Sequence, residues 1–152
     1  MRESTKIDFR HRKITDLWDF TELMGVLFPV NRNQQYAACC IFFELKWADD
    51  LLSDMRFIEA RYSITRRILQ RTRAKLSRLG LIEHISYLNN RHGGKHGWKL
   101  SYRFEAALRL LADRCFCFRD KRTSQKDKDR SLLSFVDARR KSTSSMVLWD
   151  EE

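Results

Sequence analysis

No apolar run in this 152-residue chain approaches the roughly 18 residues of a membrane span. Its opening residues, Met1-Arg2-Glu3-Ser4, begin no secretory apolar core, so the expected setting is the cytoplasm, with no membrane partner. The phosphate-loop pattern GxxxxGKS/T, the dinucleotide pattern GxGxxG and the zincin pattern HExxH are all absent, and no acidic pair is placed for acid–base work. The expectation is therefore no enzyme, no catalytic residue and no cofactor. Four cysteines occur as Cys39-Cys40 and Cys115-x-Cys117. Adjacent thiols on one helix cannot readily hold one metal and no second pair has zinc-finger spacing, so buried free thiols and no metal site are expected. His84, His92 and His96 lie near one another in sequence, where phosphate contact or plain solvation is favoured over a metal site.

Acid is what the middle of the chain lacks. From Arg61 to Arg103 there are eleven Lys/Arg and a single carboxylate, Glu83. That window carries the whole formal charge of +10, because the remaining nineteen basic and nineteen acidic residues cancel. Basicity confined to one stretch points to a polyanion. The chain as a whole is globular in composition: 43% hydrophobic residues and four Trp argue for a folded rather than a disordered chain, and the length suits one domain with extensions.

The window opens on a helix. Ser63 is the expected N-cap, Ile64 to Leu79 is free of Gly and Pro, and Gly80 stands where a left-handed C-cap is needed. Ile68, Leu69, Leu76 and Leu79, with Thr72 between them, form one narrow apolar stripe. The opposite face holds Arg66, Arg67, Gln70, Arg71, Arg73, Lys75 and Arg78 and no carboxylate, so its like charges repel unless something outside the helix supplies negative charge. Two β-rich runs follow, Leu81–Leu88 and the alternating Trp98–Phe104, which puts Trp98, Leu100, Tyr102 and Phe104 on one face. The connection, residues 89–97, is Asn/Gly-rich and cationic, the composition of a flexible hairpin tip.

A helix ending Leu76-Ser77-Arg78-Leu79-Gly80-Leu81-Ile82, followed by a Gly-rich basic hairpin, resembles the recognition helix and wing of the winged helix-turn-helix DNA-binding superfamily. The resemblance covers roughly Asn33 to Phe104. It implies a mainly α fold with a small β-hairpin (α+β), and double-stranded DNA as partner. Helix residues Ser63, Thr65, Arg66, Arg67, Gln70, Arg71, Arg73, Lys75 and Arg78 would then touch DNA, as would Asn90, Arg91, His92, Lys95, His96 and Lys99 of the hairpin. Thr65, Arg66, Arg67, Gln70 and Arg71 would read base edges, since Arg and Gln can each bond two groups on one base. Arg73, Lys75 and Arg78 would hold phosphates, and the wing would follow the backbone or the minor groove.

The flanks complete the expected organisation. Residues 1–13 form a basic N-terminal arm. Ile14–Val30 suits a short helix halted near Pro29, and Asn33–Trp47 reads as the central core helix. Ser53 is expected to cap a shorter helix, Asp54–Ala60, with Arg61-Tyr62 as the connection into the basic helix. Glu105–Arg114 resembles a further helix, within a domain expected over 14–118 with its core at 33–104. Residues 119–152 read as a charged linker and loosely packed tail whose apolar islands could dock on a protein partner. A homodimer is the expected assembly, because one module of about 70 residues rarely reads a long site alone. The readings that compete with duplex DNA are an RNA-binding or non-specific nucleic-acid module and a protein-interaction module, the last disfavoured by the cationic surface.

Overall fold

The computed structural model describes residues 7, 9–88, 93–122 and 125–147. Seven helices and one two-stranded antiparallel sheet lie among them, a mainly α arrangement of the α+β class. The chain divides into two units, Met1–Ala106 and Ala107–Glu152.

In the first unit α1 (His11–Thr15) and α2 (Phe20–Leu27) replace the single helix expected over 14–30. The break comes from Asp19, whose extended backbone and side chain cap α2 by accepting the N–H groups of Thr21 and Glu22 at 2.9 and 3.0 Å. Helix α2 stops at Leu27, ahead of Phe28-Pro29, where the proline ring disfavours helical backbone in the preceding residue. Helix α3 (Arg32–Lys46) starts where Asn31 accepts the Gln34 N–H at 3.1 Å. Its buried Ala37 and Ala38 lie in the core cluster with Met24, Leu27 and Phe28 of the α2 segment and Leu69 and Leu76 of α5 (Arg66–Leu79).

Two caps differ from expectation. Helix α4 spans Arg56–Tyr62, two residues later than expected, and Ser53 does not cap it. Asp54 instead binds the Arg56 N–H and Nε at 2.7 and 2.6 Å, fixing the turn that leads into the helix. Ser63 adopts φ 54°, ψ 46° and closes α4, so it is a C-cap rather than the N-cap of the basic helix. Thr65 takes that role, its Oγ1 accepting from the Ile68 N–H at 3.3 Å. Burial of Ile64 decides the frame. It packs in the core five residues ahead of buried Leu69, the arrangement of a hydrophobic staple around a Thr65 cap.

The stripe of α5 faces inward as its periodicity predicts, with Leu69, Thr72 and Leu76 buried and Gly80 closing the helix at φ 86°. Thr72 is fully buried, and its Oγ1 has no hydrogen-bond partner among the described residues. An unsatisfied buried hydroxyl costs about 1–3 kcal/mol. Thr72→Val, which keeps the shape and removes the hydroxyl, is expected to raise stability by about 1 kcal/mol in a denaturant titration; equal or lower stability would show the hydroxyl to be satisfied.

Strands β1 (Ile82–Ile85) and β2 (Gly97–Leu100) pair from Ile82↔Leu100 to Ile85↔Gly97, shorter than the expected runs. The alternation of the second run ends at buried Ser101, whose Oγ accepts the Arg103 N–H at 3.2 Å. Tyr102 is therefore outside the sheet and exposed, and Phe104 lies in helix α6 (Arg103–Arg119). On its other edge β2 bridges to Leu52 through two bonds, Leu52 N–H to Trp98 O at 3.0 Å and Trp98 N–H to Leu52 O at 2.7 Å.

In the second unit α6 runs through Cys115 and Cys117, both exposed rather than buried; Cys39 is half-buried and Cys40 buried. Where a linker and loose tail were expected, helix α7 covers Lys126–Val147. It contains no Gly or Pro, and Asp137 pairs with Arg140 and Lys141 one turn on at 2.6 and 3.0 Å. No helix among the described residues is long and apolar enough to cross a membrane.

Candidate nucleic-acid interface

With Leu69, Thr72 and Leu76 fixed inward, helical geometry of about 100° per residue decides what α5 shows to solvent. Arg66, Arg67, Gln70, Arg71, Ala74, Ser77 and Arg78 occupy a continuous exposed arc of about 140°. No carboxylate among the described residues pairs with Arg66, Arg67, Arg71, Arg73 or Arg78, whereas six acids pair with cations elsewhere. Bare like charge on a folded helix is a cost that an anionic partner removes.

Two expected phosphate contacts at the margins of this arc are held within the protein. The Arg73 guanidinium lies 4.9 Å from the Trp98 ring centre, and His84 meets the same indole edge-on at 4.9 Å. Lys75 donates from Nζ to the Leu27 carbonyl in the last turn of α2 and sits 4.5 Å above the Phe28 ring. Partial burial, then the nearby Arg78, lowers its pKa. Lys75 thus ties α5 to the C-terminal end of α2, where a cation is favoured. Arg78 stays exposed and available.

The hairpin cations are distributed differently from the helix cations. Glu83, the one acid of the basic window, takes Lys99 at 3.3 Å from across the ladder and Arg103 at 2.9 Å. Lys95 reaches Asp50, in the α3–α4 connection, at 2.7 Å, and this hydrogen bond is the largest influence lowering the Asp50 pKa. The contact pins the hairpin to the body while leaving much of Lys95 exposed. His96 stacks on Tyr87, their ring centres 3.8 Å apart. Asn90, Arg91 and His92 lie outside the described residues. Ser63 and Thr65 are both exposed in the turn before α5, Thr65 with its hydroxyl engaged in the cap. At the far side of that turn Glu44 accepts from Arg61 at 2.8 Å and from Tyr62 Oη at 2.5 Å, and this second bond is the largest influence pushing the Tyr62 pKa up to about 12.

The arc stands as a ridge between two open grooves, each of about 420 Å³. One is lined by Asp54, Arg56, Glu59 and Trp98 together with Arg66, Gln70 and Arg73 of α5. The other is lined by Gln34 of α3 with Arg71, Ala74, Lys75 and Arg78. Arg56 and Gln34 are additions to the expected set. Their signal in the sequence is weak, because each opens a helix that otherwise reads as core. No group of three or more His, Cys, Asp or Glu suited to a metal occurs among the described residues.

The chain matches no family model, no curated protein and no solved structure.

Proposed function

We propose that this is a duplex-DNA-binding protein of the winged helix-turn-helix type, a transcriptional regulator or a replication, plasmid or phage initiator component. The observation that carries the reading is the carboxylate-free arc of α5, with Arg66, Arg67, Arg71 and Arg78 exposed and unpaired with any described acid. It is supported by the order of elements: a core helix, a short helix, a three-residue turn, the basic helix and a hairpin.

In this reading the N-terminal half of α5 enters the major groove. Thr65, Arg66, Arg67, Gln70 and Arg71 face base edges, where a guanidinium can bond O6 and N7 of guanine and a carboxamide N6 and N7 of adenine. Arg78 holds a phosphate at the distal end. Lys95 and its hairpin neighbours follow the backbone, and Arg56 and Gln34 flank the ridge where phosphates on either side of the groove would run. Arg73 and Lys75 support the helix from behind.

Selection of bound sites from a pool of random duplexes tests the division of roles. Arg67→Ala and Arg71→Ala are expected to relax the selected sequence, whereas Lys95→Ala weakens all duplexes alike. Similar effects from all three substitutions would remove the distinction between reading and holding.

A further inference from the structure

Helix α6, most of which lies in the unit that begins at Ala107, has an unusual property for folded protein: none of its residues Arg103–Arg119 is buried. Among the described residues of α6 and α7 nine large apolar side chains are more than a third exposed, with Leu111 at 59% and Phe118 at 76%. Monomers rarely leave a contiguous apolar patch beyond a few hundred Å² in water.

The spacing on α6 and its charges indicate what covers it. Leu108, Leu111, Cys115 and Phe118 follow one another at intervals of three, four and three, the seam by which two helices of matching repeat interlock. The residues flanking that seam are Glu105, Ala112 and Arg119 on one side and Ala107 and Arg114 on the other. Parallel pairing of two such helices would set Arg114 against Arg119 of the second copy. Antiparallel pairing sets Glu105 against Arg119 of the second copy, and the two-fold axis repeats that contact at the other end. The two attractions outweigh the single approach of Arg114 to Arg114 of the second copy beside the axis. The same arrangement faces Leu111 with Cys115 of the second copy rather than thiol with thiol.

We infer that α6 is a homodimerisation helix that pairs antiparallel with α6 of a second copy along Leu108, Leu111, Cys115 and Phe118, with Glu105 and Arg119 setting the direction. The assembly joins two copies of the chain, each with its own basic helix. It requires no nucleic acid, so it stands or falls separately from the DNA reading.

Sedimentation of the full-length chain without nucleic acid tests it. The wild type is expected to be a dimer at tens of micromolar, and Leu111→Glu a monomer whose first unit melts as before. Arg119→Glu turns two attractive contacts into repulsive ones and weakens the dimer roughly tenfold. Restoration is expected in Glu105→Arg/Arg119→Glu. A wild type monomeric at 100 micromolar would overturn the inference. A tighter dimer in Arg119→Glu would overturn the antiparallel direction, since only parallel pairing gains from it.

Discussion

Replacing Arg66, Arg67 and Arg71 together by alanine is expected to weaken duplex binding by at least about a hundredfold at low salt while leaving the fold slightly more stable. The two halves of that expectation have separate causes. A bidentate arginine–guanine contact is worth about 1–3 kcal/mol, and each 1.4 kcal/mol is tenfold in affinity, so three such losses exceed two decades. Stability moves the other way because all three side chains are exposed and none is paired with a described acid. Arg67 and Arg71 also stand one turn apart, where like charges repel by a few tenths of a kcal/mol, and alanine has the higher helix propensity. Thermal melting and duplex anisotropy on the same preparation read both quantities. Lost affinity with an unchanged or raised melting point places the arginines at the interface. Lost affinity together with a lowered melting point would show them to be structural.

The second large effect is on stability, at a residue far from any base. Gly97→Ala is expected to cost about 3 kcal/mol or more. An added Cβ would lie 2.6 Å from the Leu52 carbonyl oxygen and 2.8 Å from its carbon, both backbone atoms without freedom to turn aside. Gly97 also holds φ 143°, a conformation that side chains rarely adopt, with a penalty of about 1–3 kcal/mol. Relief requires Leu52 to withdraw, which breaks its two hydrogen bonds to Trp98, each worth about 1 kcal/mol. The segment that moves leads directly into α4 and the turn before α5, so the basic ridge would lose its support as well. In a unit of about 100 residues such a loss lowers the melting temperature by on the order of 15 °C. Gly94→Ala is the control. It has positive φ but nothing within 4 Å of an added Cβ, so only the conformational cost applies. Thermal unfolding of the two variants within 1 kcal/mol of each other would show that the Leu52 contact does not constrain the hairpin.

The parts of this structure that can be read from sequence are those decided within one turn of helix. The inward stripe of α5, its glycine stop and its acid-free outer face all follow from residues at intervals of three and four. The neighbouring caps are less legible because several adjacent residues can cap equally well. Ser63 and Thr65 both carry the necessary hydroxyl, and burial of Ile64, a tertiary event, selects the second. The same limit separates the cations of the site. Arg78 and Lys75 are equivalent in a charge count, yet only the packing of both α2 and α5 on α3 brings the Leu27 carbonyl within reach of Lys75. Lys95 meets Asp50 across 45 residues, a pairing that no local pattern encodes. Helix α7 was hidden for another reason. Its apolar residues cluster in the middle of a polar stretch instead of forming a sustained stripe, and helices of that kind draw stability from partners more than from periodicity.

The most direct test of the central claim is the salt dependence of binding, by fluorescence anisotropy, for a 25-base-pair duplex and an RNA of matched sequence. The account predicts preference for the duplex and an affinity that falls steeply with salt. Each phosphate neutralised contributes about 0.9 to the log–log slope, and Arg78→Ala should reduce that slope by about one phosphate. Absence of duplex binding at low salt, or equal preference for the RNA, would contradict it and give the bare face of α5 to another polyanion.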